Sequence, residues 1–308
     1  MEKVLVVIDY QNDFVNGSLG FKRAEELENG IYEKVISYLK DGHKVIFTYD
    51  THSENYLETR EGRYSFYFED LRSGYSYGYN ENVSMTAAGC MKLPIAISLI
   101  KAKEDKKVNF MDKIKVLNDE KVYGTGIIHE FDDRDYTLFE LMVIMLIQSD
   151  NTAANKIIDI LGMEQINEDI KSMGLKNSKL NRKTKDERMP EVNIENITSA
   201  YDLCMMWKHL YNGTFLNKDN GQMLIDILQR QQIKNKLALY IQDDLKSEIS
   251  SKTGDKPSVE NDTEYIHNKK GNFTFTVLSE KVPNSVYGTI TLAKCGKMMW
   301  DEITNNWS

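Results

Sequence analysis

The stretch AAGCMKLP, residues 87–94, decides the fold together with two shorter motifs further along the chain. Ser149-Asp150-Asn151 begins about 60 residues after Gly89, and Lys252-Thr253-Gly254 follows about 100 residues later. Each motif alone is weak, because the same residues occur on exposed helices, at helix caps and at strand ends. All three motifs, in this order and at this spacing, predict one site built from three distant segments.

The segments around the motifs predict an α+β layout. The aromatic runs YSFYFEDL and YSYGYNEN flank the turn Arg72-Ser73-Gly74, which predicts an antiparallel hairpin. Residues 84–103 and most of residues 136–245 carry apolar side chains at helical spacing. A closing helix is predicted over residues 294–307. The predicted antiparallel sheet combines residues 64–80, 248–256, 272–280 and 286–293.

These motifs resemble the S-x-x-K, S-D-N and K-T-G set of class A β-lactamases and penicillin-binding serine hydrolases. The resemblance extends over residues 63–308, because the aromatic hairpin and the segment VENDTEYIHNKKGNFTFTVLSE also match the family's sequence pattern. It implies a β-lactamase/transpeptidase-like fold, in which an antiparallel sheet is flanked by helices and joined to a helical subdomain. The implied partner is a small-molecule ligand, a β-lactam or a peptidoglycan-like peptide, and no metal or organic cofactor is implied.

The resemblance also implies a role for each matching position. Gly89 stands where the family carries its nucleophilic serine, and Lys92 matches the lysine that acts as a base for that serine. Ser149 matches the serine that passes a proton to the leaving nitrogen. The oxyanion hole would use the backbone N–H groups of residues 89 and 255. The implied substrate-binding residues are Asn151, Lys252, Thr253, Gly254 and Asp255.

The first departure from the family pattern is Gly89 itself. Glycine removes the hydroxyl that would be acylated but keeps the backbone N–H, so the oxyanion hole can survive. Cys90 is the nearest alternative nucleophile, but it lies about 100° further around a helix and would not face Lys92. The sequence therefore predicts binding without turnover, either in a natural pseudoenzyme or in an inactivated variant. A binding or regulatory module that no longer recognises β-lactams is the alternative.

The second departure concerns the glutamate that deacylates class A β-lactamases. Aligning MPEVN, residues 189–193, with the family's E-P-E-L-N places Met189 at the position of that glutamate. Glu187 and Glu191 lie nearby, but a glutamate in a loop is most often only solvated. The segment better resembles family members that lack the deacylating glutamate.

The first 62 residues follow a different pattern. The runs KVLVVI (residues 3–8) and KVIFTYD (residues 44–50) predict buried strands, and residues 24–41 between them have helical spacing. Two strands with an intervening helix predict a right-handed parallel βαβ unit. We therefore divide the chain into residues 1–62, a βαβ fragment, and residues 63–308, a class A β-lactamase-like domain.

The N-terminal fragment resembles the opening of the nicotinamidase/isochorismatase-like cysteine hydrolases. Asp9 would match their catalytic aspartate, and Asp50 and His52 would match the start of a D-x-H metal site. The later lysine and cysteine of that family have no counterpart that the sequence identifies. We therefore expect neither catalysis nor a metal site in this fragment.

Composition restricts the partners and the compartment. The chain is 41% hydrophobic and 28% charged, and its net charge of −8 without basic clusters argues against nucleic acid as a partner. The most apolar later stretch, residues 138–147, is too short to span a bilayer. The opening residues lack a secretory cleavage site and the three cysteines are far apart, which favours the cytoplasm, although relatives of residues 63–308 are often exported. The oligomeric state is not indicated by the sequence.

Overall fold

A parallel βαβ unit is present in the N-terminal part of the computed structural model, which describes residues 4–7, 28–41, 43–47, 56–184 and 194–307. Strand β1 (Val4–Val7) pairs in parallel with β2 (Lys44–Phe47), and helix α1 (Glu28–Lys40) separates them in the sequence. The predicted βαβ fragment is confirmed. Contacts divide the chain into two compact units, Met1–Arg60 with Lys297–Trp307, and Glu61–Gly296.

The second unit contains the remaining strands and helices. Its strands are β3 (Arg63–Asp70), β4 (Ser76–Tyr79), β5 (Met85–Thr86), β6 (Lys113–Val116), β7 (Arg134–Thr137), β8 (Ile197–Thr198), β9 (Ile249–Lys256), β10 (Val259–Asn268) and β11 (Gly271–Glu280). Its helices are α2 (Lys92–Glu104), α3 (Leu138–Ile147), α4 (Asn151–Leu161), α5 (Met163–Ser172), α6 (Ala200–Asn212), α7 (Lys218–Gln229) and α8 (Ser285–Asp301), which continues beyond this unit.

The main sheet is antiparallel and has the strand order β4-β3-β11-β10-β9. Strands β3 and β4 form the predicted aromatic hairpin, in which the backbone N–H of Gly74 donates to the carbonyl of Asp70 at 2.8 Å. Gly74 has a φ of 73°, a left-handed conformation that glycine adopts without strain. Because the helical segments lie between β3 and β9 in the sequence, the sheet joins both ends of the unit. The predicted α+β, β-lactamase/transpeptidase-like fold is confirmed.

One predicted strand is wrong, and one strand of the sheet was not predicted. Residues 286–293 are not a strand but part of helix α8, whose start is capped by Asn284: its Oδ1 accepts a hydrogen bond from the backbone N–H of Tyr287 at 2.9 Å. The β-branched residues of SVYGTITLA favour strands, but capping and tertiary packing outweigh this preference. The strand that was not predicted is β10, which pairs with β9 and whose buried positions include the acidic residues Glu260, Asp262 and Glu264.

Helix α2 is almost completely buried. Leu93, Ile95 and Leu99 are each at most 2% exposed, as expected for a helix that is apolar on all sides. Lys92 begins this helix and is therefore carried into the interior of the unit. Although α2 and α3 are apolar, no helix in the described ranges is long and apolar enough to cross a membrane.

Candidate active site

Gly89 lies in a tight turn that leads into helix α2. A 3₁₀ turn spans Ala88–Met91, and Lys92 begins the helix directly after it. Ala88 has a φ of 45°, a left-handed conformation that costs on the order of 1–3 kcal/mol in a residue with a Cβ. Such strained residues are concentrated at functional sites, where the surrounding structure holds them in place.

The backbone of β9 lies directly against Gly89. A Cβ built on Gly89 would be 2.7 Å from the carbonyl oxygen of Thr253 and 3.2 Å from Oγ of Ser149. A Cβ built on Gly254 would in turn be 2.6 Å from the backbone nitrogen of Gly89. Real Cβ atoms essentially never lie less than 3.0 Å from another atom, so the turn and β9 can be this close only because both positions are glycine. A side chain at position 89 would push the turn and β9 apart.

Lys92 is buried beside this turn, with 4% of its surface exposed. Its Nζ donates to the carbonyl of Ser149 at 2.5 Å, to Oγ of Ser149 at 3.1 Å and to Oδ1 of Asn151 at 2.8 Å. Three oxygen acceptors favour the ammonium form, whereas burial and the charge of Lys252 favour the neutral amine and lower the pKa of Lys92 to about 7. An amine with this pKa can exchange a proton near neutral pH, as a general base must.

Ser149 and Asn151 stand on either side of a helix cap. Ser149 links α3 to α4 with a φ of 54°, and Asn151 is the first residue of α4. Asp150 between them is the N-cap of α4. Its carboxylate accepts hydrogen bonds at 2.7–2.8 Å from the backbone N–H groups of Ile127, Ile128 and Ala153. The aspartate of this motif therefore has a structural role, and it fixes the link so that both neighbours reach Lys92.

Lys252 brings the third motif to the same serine. Its Nζ donates to Oγ of Ser149 at 3.0 Å and to the carbonyl of Thr253 at 2.8 Å. The residue is 0% exposed, and burial lowers the pKa of Lys252 to about 8. The Thr253 hydroxyl is buried beside it and has no hydrogen-bond partner within the described part of the chain. One serine hydroxyl therefore joins the amines of two motifs.

Cys90 does not replace the missing nucleophile. The residue is 0% exposed, and its thiol donates to the carbonyl of Lys252 at 3.3 Å. Burial raises the pKa of Cys90 to about 12, so the reactive thiolate is not formed at neutral pH. The thiol fills the space behind β9 as a small apolar side chain does.

Lys236 is a buried cation beside the same end of β9, although no motif indicates it. Its Nζ is 2.8 Å from a carboxylate oxygen of Glu260 and 3.2 Å from one of Asp255, and it donates to the carbonyl of Gly254 at 3.2 Å. Burial opposes the charge of Lys236, but Asp255 and Glu260 raise its pKa above the ordinary value. The surrounding sequence QQIKNKLALY contains two lysines and no recognisable motif. Only the structure shows that Lys236 is buried and paired with carboxylates.

The predicted site residues thus converge from three segments, and the N–H of Asp255 and the turn at Gly89 lie at the same end of β9. The arrangement contains two buried amines and the hydroxyl of Ser149 within hydrogen-bond distance of both, but no hydroxyl at position 89. Among the described residues, no group of three His, Cys, Asp or Glu side chains is placed to hold a metal. Six predicted positions lie outside the described residues: Asp9, Asp50, His52, Glu187, Met189 and Glu191.

The fold and the converging lysines and serine define a serine-hydrolase scaffold of the β-lactamase type. A sequence model of the β-lactamase enzyme family matches residues 50–303, so the chain belongs to this family. A comparison with curated proteins gave no match. The match includes residues 50–62, and the resemblance of residues 1–62 to nicotinamidase-like hydrolases has no support from the comparisons.

Solved structures of the same fold support the assignment of the architecture. A β-lactamase from Sphaerobacter thermophilus DSM 20745 is 24% identical, covers 79% of this chain and 92% of its own length, and has a TM-score of 0.73. PBP-A is 24% identical over 80% of this chain and 92% of its own, with a TM-score of 0.72. A mutant of PBP-A, described as an acyl-enzyme complex with penicillin G, is 24% identical over 80% and 91%, with a TM-score of 0.71.

Proposed function

We propose that residues 63–308 bind β-lactams or D-Ala-D-Ala-like peptides without turning them over. One observation carries this proposal: Lys92 and Lys252 both donate to Ser149 at 2.5–3.1 Å, while position 89 has no hydroxyl to be acylated. The groups that move protons are kept, and the group that would form the acyl bond is missing. The protein would therefore recognise a ligand of this class and release it unchanged.

Each kept group has a use in recognition. Lys252 and Thr253 would bind the carboxylate of the ligand, and Asn151 would hold its amide. The backbone N–H groups of residues 89 and 255 would receive the carbonyl oxygen. The Thr253 hydroxyl supports this arrangement, because a buried hydroxyl without a partner is unfavourable by about 1–3 kcal/mol and a bound ligand would satisfy it. The PBP-A mutant complex with penicillin G supports the ligand class.

The alternative function, a module that no longer recognises β-lactams, is favoured by the depth of the site. Lys92, Ser149 and Asn151 are 4%, 5% and 6% exposed, so only a small part of each is open to a ligand. Under this alternative the lysine–serine network is a structural element of the fold, and no β-lactam binds.

Native mass spectrometry with benzylpenicillin separates the two functions. Binding without turnover predicts a complex that dissociates on collisional activation and leaves no covalent adduct. Lys252→Met should abolish that complex, because it removes the ammonium that would pair with the carboxylate. Lys256→Met is the matched control, since Lys256 is on the same strand but pairs with Glu195 at 2.5 Å. No complex with the unchanged protein would favour the alternative.

We further propose that residues 1–62 are a non-catalytic fragment related to the isochorismatase-like fold. The parallel pairing of β1 with β2 supports the βαβ unit, but the sequence supplies no lysine and cysteine partners for Asp9. Nicotinamide hydrolysis that disappears on Asp9→Asn would contradict this proposal.

A further inference from the structure

The segment of residues 122–128 is held by its backbone against the start of helix α4. The backbone N–H of Asn151 donates to the carbonyl of Thr125 at 3.1 Å, and Oδ2 of Asp150 accepts from two backbone N–H groups of the segment at 2.7 and 2.8 Å. Gly126 has a φ of 114°, and a Cβ built on it would overlap the carboxylate of Asp150. Only glycine permits this approach, so the backbone at Thr125 is fixed beside the motif.

The Thr125 hydroxyl reaches the side chain of Asn151 from this fixed position. Its Oγ1 donates to Oδ1 of Asn151 at 3.2 Å, and Lys92 donates to the same oxygen at 2.8 Å. An amide oxygen has two lone pairs, so these two donors occupy it. Nδ2 of Asn151 donates to the carbonyl of Tyr123 at 3.5 Å, and this is its one acceptor within the described part of the chain.

Lys92 alone does not supply a permanent donor to this amide oxygen. Burial and the charge of Lys252 lower the pKa of Lys92 to about 7, so above neutral pH its amine is mostly uncharged and has two N–H groups. Three oxygens surround that amine, because it also contacts the carbonyl and Oγ of Ser149 at 2.5 and 3.1 Å. Two N–H groups cannot serve three acceptors, whereas the Thr125 hydroxyl can donate to Oδ1 in either charge state.

We propose that Thr125 is a positioning residue for ligand recognition: its hydroxyl holds the amide of Asn151 with Oδ1 towards Lys92, which leaves Nδ2 to donate to a carbonyl of the ligand. Thr125 lies outside the three motifs, and its hydroxyl acts through Asn151 rather than on the ligand. This inference rests on the proposed function, because it concerns how the same site recognises its ligand.

Three substitutions separate the hydroxyl of Thr125 from the stability of its segment. Thr125→Val removes the hydroxyl and keeps the size and branching of the side chain, whereas Thr125→Ser keeps the hydroxyl. Thr152→Val is the matched control for a loosened segment. Oγ1 of Thr152 accepts from the backbone N–H of Val122 at 2.9 Å and has no hydrogen bond to the Asn151 side chain.

The first measurement is the order parameter of the Asn151 side-chain NH₂ group, determined by NMR relaxation at pH 8 without ligand. We expect it to fall in Thr125→Val and to keep its value in Thr125→Ser and Thr152→Val. The second measurement is the dissociation constant of benzylpenicillin, determined by calorimetry. It should rise about three- to tenfold in Thr125→Val, as expected for one lost hydrogen bond, and change less than about twofold in the other two variants.

The two measurements distinguish failure of this inference from failure of the proposed function. An unchanged order parameter in Thr125→Val would overturn the inference and leave the proposed function standing. A loss of binding that Thr152→Val shares, or that Thr125→Ser does not restore, would do the same. If the unchanged protein does not bind benzylpenicillin, the proposed function fails and the role in ligand recognition fails with it, whereas the order parameter still shows whether Thr125 holds Asn151.

Discussion

Among the buried charged residues around β9, the lysines Lys92 and Lys252 can be compared with the acids Asp262 and Glu264. Lys92 and Lys252 are at most 4% exposed, and burial lowers their pKa values to about 7 and about 8. Asp262 and Glu264 on β10 are at most 3% exposed, and burial raises the pKa of Asp262 to about 6 and that of Glu264 well above its ordinary value. In both pairs burial favours the uncharged form.

The two pairs differ in their hydrogen bonding. The lysines share Oγ of Ser149, and each has a further oxygen acceptor within 2.8 Å. Asp262 accepts a hydrogen bond from the backbone N–H of Leu237 at 3.1 Å, which ties a loop to the sheet. One carboxylate oxygen of Glu264 has no partner among the described residues. Burial alone therefore does not distinguish the candidate site from the acids of β10, whereas a hydroxyl shared by two buried amines does.

The two pairs also predict opposite effects of pH on stability. The folded pKa of Lys92 lies below the ordinary 10.5, so the folded state binds fewer protons and stability is gained as the pH rises from about 7 to 10.5. The folded pKa of Asp262 lies above the ordinary 3.8, so its contribution is lost as the pH rises through about 6. Both contributions are therefore smallest between about pH 6 and pH 7.

The largest effect is expected from a substitution that places a hydroxyl beside the two buried lysines. Gly89→Ser supplies that hydroxyl beside Lys92 and Ser149, and we expect it to be acylated by a chromogenic cephalosporin. If Met189 fills the place of the deacylating glutamate, no base serves the attacking water, so the acyl-enzyme should accumulate. A burst of absorbance followed by slow release is the expected trace.

The matched control is Gly89→Ala. Both substitutions add a Cβ that would lie 2.7 Å from the carbonyl oxygen of Thr253, so both must displace β9 and lose stability, but only serine can form an adduct. Rapid steady turnover by Gly89→Ser would show that another base, such as Glu187 or Glu191, activates water. An adduct-free Gly89→Ser protein that unfolds like Gly89→Ala would show that the lysine pair no longer supports acylation.

The fold and the lysine–serine site were predictable because the three short motifs that contain Lys92, Ser149 and Lys252 occur in the expected order and at the expected spacing. The features that the sequence missed depend on tertiary contacts. The β-branched residues of α8 resemble a strand until Asn284 is seen to cap a helix. Lys236 carries no local signal, and the closure of β9 over Gly89 follows only from the backbone geometry.

A second test removes the hydroxyl that the lysines share. Ser149→Ala leaves two buried amines without a common acceptor, and we expect the free energy of unfolding to fall by about 2–3 kcal/mol in urea titrations at pH 7. Ser98→Ala is the matched control, because Ser98 is 1% exposed and its hydroxyl has no partner in the described residues. Equal losses in both variants would mean that the shared hydrogen bonds contribute nothing specific.

A third test addresses the acids. Glu264→Gln removes a carboxyl group that is unfavourable when charged, so we expect little change in unfolding free energy at pH 5 and a gain of about 1 kcal/mol at pH 8. Glu260→Gln should instead destabilise the protein at both pH values, because Lys236 loses a charged partner at 2.8 Å. A Glu264→Gln gain that is independent of pH would contradict the raised pKa.

The smallest expected effect is the influence of one lysine on the other. Lys252→Met keeps the volume of the side chain but removes the positive charge near Lys92, so the pKa of Lys92 should rise from about 7 by about one unit. Burial, the larger cause of the lowered pKa, stays in place and keeps the value below 10.5. Titration of the lysine side-chain resonances by NMR, with Lys92→Arg for assignment, measures the shift directly.

Lys256→Met is the control for that titration. Lys256 lies on the same strand, but its ammonium pairs with Glu195 at 2.5 Å and is 31% exposed, so solvent screens its charge from Lys92. The pKa of Lys92 should therefore stay near 7 in this variant. If the pKa of Lys92 rises in both variants, the cause is a structural change in β9 and not the loss of a charge, because only Lys252 shares Ser149 with Lys92. A rise in neither would mean that the charge of Lys252 contributes little and that burial, the larger cause, lowers the pKa of Lys92.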